Sequence, residues 1–250
     1  MPTPQPALHT AHHASFGVKA LLFDVFGTVV DWRGSLIADF TGWSQANGAV
    51  GDWTKLVDAW RGAYVPSMNE VRKHPERGFA NLDTLHRQSL QRLTGELGIK
   101  GLSETDFDYL NRGWHRLTPW PDSVAGLTRL KTKFVIGPLS NGNVALLTNM
   151  AKHAGLPWDL ILSAEIFQHY KPDREAYLGA AKLLGLEPAV VMLVAAHNAD
   201  LKGAQGCGLK TCFVPRPTEY GPLQSRDFKA DGDWTLVVEN IGDLADRLGC

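Results

Sequence analysis

Apolar residues follow two different spacings along this chain. Residues 18–24, Val-Lys-Ala-Leu-Leu-Phe-Asp, form a nearly unbroken apolar run that ends on an acid. That is the pattern of a parallel strand covered on both faces. Gly27 follows at once, where the chain must turn. From residue 32 to about 120 the period becomes helical, and helices are predicted over 36–46, 53–64, 82–97 and 105–117. Six of the eight tryptophans fall in this stretch. Pro119 and Pro121 flank Trp120 and mark a return point.

Beyond it, strand and helix patterns alternate. Strands are predicted over 134–139, 160–163, 190–195, 210–214 and 234–238. Helices are predicted over 143–154, 173–184, 200–207 and 241–248. Alternation of this kind implies a parallel α/β sheet. One strand precedes the helical stretch and the others follow it. The expected architecture is a doubly wound α/β core over 18–31 and 119–250, with a helical cap over 32–118 inserted into it. Residues 1–17 read as a disordered tail, with three prolines and the cluster His9, His12 and His13. Metal binding by that cluster is the weaker reading of it.

Composition narrows the classes. The chain has 250 residues, 44% hydrophobic and 20% charged, with a formal charge of −1. This excludes a disordered or collagen-like chain. The charge balance gives no general attraction to nucleic acid or to an anionic membrane. The longest apolar run, 190–196, is too short to span a bilayer. The N-terminal residues lack the basic start and apolar stretch of a secretory signal. Three cysteines, Cys207, Cys212 and Cys250, show no framework or C-x-x-C spacing. That usage fits a reducing compartment, and a cytoplasmic location is expected.

Ligands of open parallel sheets bind beyond the carboxyl ends of the strands. Asp24, Ser140-Asn141 and the stretch from His197 to Asp200 each follow a predicted strand, so they gather at one edge. An acid in the position of Asp24 could simply cap its turn. The additional presence of Ser140, Lys171-Pro172 and Asp200 favours chemistry.

As a set, these residues resemble the haloacid dehalogenase superfamily: Phe-Asp-Val-Phe-Gly-Thr at 23–28, Ser-Asn-Gly at 140–142, Lys-Pro-Asp at 171–173, and the strand-end acid Asp200. Most of that superfamily are phosphatases with a second acid two residues after the nucleophile and paired acids for Mg²⁺. Here those positions hold Phe26 and Ala199. Halide leaves as a stable anion and needs neither a proton nor a metal. The closer resemblance is to the L-2-haloacid dehalogenase branch. It implies Asp24 as nucleophile, Thr28 holding it, Lys171 keeping it ionised, and Lys171 with Asp200 assisting water. It also implies a substrate carboxylate held by Ser140, Lys171 and the N–H groups of Val25 and Phe26. Arg61, from the Trp-Arg pair at 60–61, and Asn141 would face the halide, and Tyr177 matches a site tyrosine. No metal or organic cofactor is implied. The partners implied are a small haloacid and halide, with a homodimer as the assembly.

One stretch departs from the branch, which usually shows Ser-Ser-Asn-Ala-Trp-Asp. This chain has Ala-Ala-His-Asn-Ala-Asp at 195–200. His197 is expected either to narrow the halide end and add a donor, favouring haloacetates and even fluoroacetate, or to position water. Two rival functions share the fold: a phosphatase without its second acid, and a non-catalytic binding module.

Overall fold

The computed structural model describes residues 16–250. Residues 1–15, with His9, His12 and His13, lie outside the described residues. In chain order the elements are β1 (Ala20–Phe23), β2 (Val30–Asp31), α1 (Trp32–Asn47), α2 (Trp53–Lys73), α3 (Leu82–Glu96), α4 (Glu104–Asn111), β3 (Thr118–Pro119), α5 (Ser123–Lys131), β4 (Val135–Ser140), α6 (Val144–Ala154) and β5 (Leu162–Ser163). They continue with α7 (Ala164–Phe167), α8 (Arg174–Leu183), β6 (Val191–Ala195), α9 (Asn198–Gly206), β7 (Lys210–Phe213), β8 (Leu236–Val237) and α10 (Ile241–Arg247).

Six strands form a parallel sheet in the order β5-β4-β1-β6-β7-β8. It is the doubly wound α/β fold that the strand and helix pattern predicts. The unbroken apolar strands are explained by cover on both faces. In β1, Leu21 and Phe23 enter one buried cluster while Ala20 and Leu22 enter the other. Met192 and Val194 of β6 split from Leu193 and Ala195 in the same way.

Helices α1 to α4 leave the sheet between β1 and β4. Their neck is a two-residue antiparallel pair, β2 with β3, that hydropathy did not indicate. Each of the four helices starts on a side-chain cap: Asp31, Asp52, Asn81 and Ser103 accept a backbone N–H of the first turn. Two boundaries differ most from the predicted ones. The helix expected to stop at residue 64 runs on through Pro66 to Lys73. Its last turns are held by tertiary contacts, since Met68 is buried and Arg72 is bonded to Asp173 and to the carbonyls of Tyr170 and Lys171. The helix expected over 105–117 ends at Asn111 and tightens into a 3-10 turn, Arg112–Arg116. There Gly113 packs so closely that a Cβ would come within 2.8 Å of Leu36 and Phe40. Helix α5 was not anticipated, because Ser123–Lys131 mixes apolar and basic residues with a glycine.

Candidate active site

Asp24 closes β1, and its own N–H donates to the carbonyl of Val194 on the neighbouring strand β6. The backbone then turns at Gly27, whose φ of +88° favours glycine. Thr28 comes back beneath the carboxylate. Its hydroxyl accepts from the Ala196 N–H at 2.9 Å and donates to Asp24 Oδ2 at 2.8 Å. That relay fixes the direction of the hydroxyl. Behind it, Arg216 donates to the Thr28 carbonyl and forks onto Asp122, tying the turn to the loop after β7.

Lys171 is buried and lies between two acids. Its Nζ donates to Asp24 Oδ1 at 3.1 Å and to Asp200 Oδ2. Asn141 positions it from behind: Asn141 Oδ1 accepts the Lys171 N–H at 2.7 Å. Asp200, in the first turn of α9, also takes the Tyr177 hydroxyl at 2.6 Å. Tyr177 therefore supports Asp200 from helix α8 and is not on the cavity wall. Ser140 is buried away from the cavity, and its Oγ accepts the Gly142 N–H at 3.2 Å, shaping the turn after β4. The Val25 side chain is core and is not on the cavity wall. Among the described residues, the N–H groups of Val25 and Phe26 have no protein acceptor.

His197 follows β6 and reaches across to Asp24. Its Nδ1 lies 3.0 Å from Asp24 Oδ2 and its Nε2 lies 2.9 Å from Glu219 Oε2. Glu219 was not anticipated. It is 1% exposed, in the segment between β7 and β8, and its other oxygen accepts the Trp32 indole N–H at 2.9 Å. The only signal in the sequence was an acid a few residues beyond a predicted strand.

Charge sets the protonation states. Burial alone would raise the Asp24 carboxyl, but Lys171 and His197 beside it hold it far below the usual carboxylate range. Burial would strip Lys171 of its proton, and the two flanking acids hold it instead, pushing the ammonium's pKa up. Glu219, despite its burial, stays below its ordinary value because His197 and Arg61 face it.

The helical block supplies the opposite wall. Arg61 on α2 lies over the rings of Tyr64 and Trp32, with its guanidinium carbon 4.4 and 5.2 Å from their centroids. Its Nη2 is 3.8 Å from Glu219 Oε1, while Nη1 is buried with no hydrogen-bond partner among the described residues. Between the walls lies a cavity of about 710 Å³. Asp24, Phe26, Arg61, Asn141, Lys171, His197 and Asp200 all line it, together with the unanticipated Trp32, Tyr64 and Tyr220.

A magnesium ion does not fit this residue set. Phe26 and Ala199 bring no side-chain oxygen, and the Lys171 ammonium already stands between the two carboxylates that would bind one. Among the described residues, no group of three or more His, Cys, Asp or Glu side chains is arranged around a common metal position.

The family model for haloacid dehalogenase-like hydrolases matches residues 18–208. An L-2-haloacid dehalogenase of known structure is 50% identical, with a TM-score of 0.90 over 93% of this chain and 99% of that one. A defluorinating L-2-haloacid dehalogenase is 46% identical, also with a TM-score of 0.90, over 93% of this chain and 96% of the other. The (S)-2-haloacid dehalogenase 4A of Burkholderia cepacia is 28% identical over 90% of this chain and 96% of its own length.

The chain belongs to the haloacid dehalogenase-like hydrolases. Within that family it falls in the L-2-haloacid dehalogenase branch, and so among the hydrolases of carbon–halide bonds. Among the described residues, no helix is long and apolar enough to cross a membrane.

Proposed function

We propose that this chain hydrolyses short 2-haloalkanoic acids, haloacetates among them, to 2-hydroxy acids through an ester on Asp24. The observation that carries the reading is a buried, ionised carboxylate on a substrate-sized cavity, with a guanidinium N–H left unpaired on the facing wall. An Asp24 oxygen attacks the carbon bearing the halogen, the carbon–halogen bond breaks, and halide leaves with the electron pair. Water then attacks the Asp24 carbonyl carbon and frees the hydroxy acid. Two easier steps replace one hard displacement. The free N–H groups of Val25 and Phe26, with Lys171, take the substrate carboxylate, and Arg61 and Asn141 take the halide. Thr28 holds the nucleophile, while Ser140 and Tyr177 act one layer back.

Fluoroacetate belongs to the proposed range. Fluoride is a poor leaving group that depends on donors, and Arg61 has one free. The 46% identical relative described as defluorinating supports the same reading. We also propose a homodimer and a cytoplasmic location; the three free cysteines fit a reducing compartment.

The deciding experiment is a single turnover with bromoacetate in ¹⁸O water, with halide release measured alongside. Label must enter Asp24 before it enters glycolate. Label in product alone would mean that water attacks the substrate directly. Magnesium-dependent turnover of an aryl phosphate, without halide release, would move the protein to the phosphatases.

A further inference from the structure

His197 touches two carboxylates, one at each ring nitrogen: Asp24 Oδ2 at 3.0 Å and Glu219 Oε2 at 2.9 Å. An ionised carboxylate only accepts, and a neutral imidazole has only one N–H to donate. Both contacts are hydrogen bonds only if the ring carries two protons. His197 is therefore an imidazolium in the resting enzyme. Burial works against that charge, and Glu219 with Asp24 outweighs it, raising the pKa well above the ordinary histidine value.

The two oxygens of Asp24 differ. Oδ2 receives both the Thr28 hydroxyl and the His197 Nδ1–H, whereas Oδ1 is bonded to Lys171 alone. Glu219 is packed against the nucleophile's own turn: a Cβ on Gly27 would lie 2.2 Å from Glu219 Oε1. The charged groups facing His197 are Asp24 after β1, and Glu219 after β7 with Arg61 of α2 behind it. Lys171 and Asp200 stand on the far side of Asp24. Asp227 is turned to the Asn198 amide groups.

We propose that Oδ1 is the attacking oxygen, and that His197, kept charged by Glu219, pairs with Thr28 as the oxyanion cradle at Oδ2 for hydrolysis of the ester. This rests on the dehalogenase reading above. In the first step Oδ1 bonds to the substrate carbon and halide departs with the carbon–halogen pair, so Asp24 loses its charge. Oδ2 becomes the ester carbonyl oxygen with both donors still in place. In the second step a water oxygen bonds to Cγ, its proton passes to Asp200, and the carbonyl electron pair moves onto Oδ2. Collapse restores that carbonyl and breaks the Cγ–Oδ1 bond. The departing alkoxide takes the proton back from Asp200, and the regenerated Asp24 carboxyl gives its remaining proton to solvent.

Glu219 acts through His197. Esterification removes one of the two carboxylates that keep the imidazolium charged, in a buried site that favours the neutral ring. Glu219 is the one that remains. It is a positioning residue, and His197 is a catalytic residue that touches the reacting carboxylate.

The test is Glu219→Gln, which keeps an acceptor and the size but removes the charge. Rapid-quench halide measurement should show a burst of one halide per site, followed by a steady state slowed roughly 10²-fold, the cost of weakening one oxyanion donor. Mass spectrometry should find the ester accumulated on Asp24. The basic limb of the kcat–pH profile should move to lower pH. His197→Asn, on a different element, should give the same burst. Its steady-state rate should be equal for chloroacetate and bromoacetate, because both leave the same glycolyl ester. A slowed first turnover without a burst, or a halogen-dependent rate in His197→Asn, would put His197 at the halide step and overturn the proposal. So would an unshifted basic limb. Failure of the parent enzyme to label Asp24 would instead overturn the dehalogenase mechanism itself, so the two failures are distinguishable.

Discussion

The two walls of the cavity are built on opposite principles. On the sheet wall each charge is already answered. Asp24 is bonded to Thr28, Lys171 and His197, and Asp200 to Lys171 and Tyr177. On the helical wall the central cation is incompletely answered. Arg61 rests on aromatic faces and leaves a buried Nη1 without a partner among the described residues. A buried donor without an acceptor costs about 1–3 kcal/mol or more when charged. An arriving anion recovers that cost. In the proposed reaction the charges of the sheet wall are thus paired in advance, while the cation of the helical wall is completed by the substrate.

The sharpest way to break this division is Asp24→Asn. It keeps the shape and removes the proposed nucleophile, and kcat should fall roughly 10⁴-fold or more. Residual turnover near the parent's would mean that the reaction centre lies elsewhere. Next comes Arg61→Lys. Charge is retained but the planar fork is lost, and halide release should slow by roughly 10²-fold. Near-normal turnover would make the helical wall mere packing and shift the anion contact to another cation.

A smaller effect separates the walls by pH. His86, deep among the aromatics of the helical block, stacks on Trp114 and has no partner at either ring nitrogen among the described residues. Burial holds its pKa down at about 3. The folded protein keeps this ring neutral, while the unfolded chain protonates it below about 6.5. The stability it contributes is therefore present above 6.5 and lost as pH falls from there towards 3. Between pH 7 and 5 that amounts to about 2 kcal/mol. In denaturant titrations His86→Phe should lack this component, so its stability should change less over that interval than the parent's. Parallel pH dependences would show that His86 is not the group responsible. The smallest expected effect is from chelation. EDTA should leave dehalogenation unchanged, because Lys171 stands where a cation would sit. Loss of activity with rescue by Mg²⁺ would refute that.

How much of this was legible depended on how local the signal was. An apolar run ending in an acid marks Asp24, and turn residues after such runs mark Asn141 and Asp200. Each can be read within about ten residues. The wall contributed by Arg61 was legible only through the Trp-Arg pair. Tyr64 and Trp32 beneath its guanidinium looked like ordinary core. Glu219 lay in a stretch between β7 and β8 with no hydrophobic period, where an acid reads as a solvated loop.

The sequence by itself determined the alternating strands, the inserted helices, and the acids and lysine at the strand ends, because hydrophobic period and turn chemistry are local properties of a chain. Which oxygen of Asp24 faces which donor, and that His197 is clasped between two carboxylates, only the tertiary structure decided. The sheet order sets β6 between β1 and β7. Asp24, His197 and Glu219, each beyond the end of one of these strands, therefore fall in line, although 195 residues of chain separate the first from the last. That adjacency arises from how strands pair across the sheet, and no local pattern along the chain encodes it.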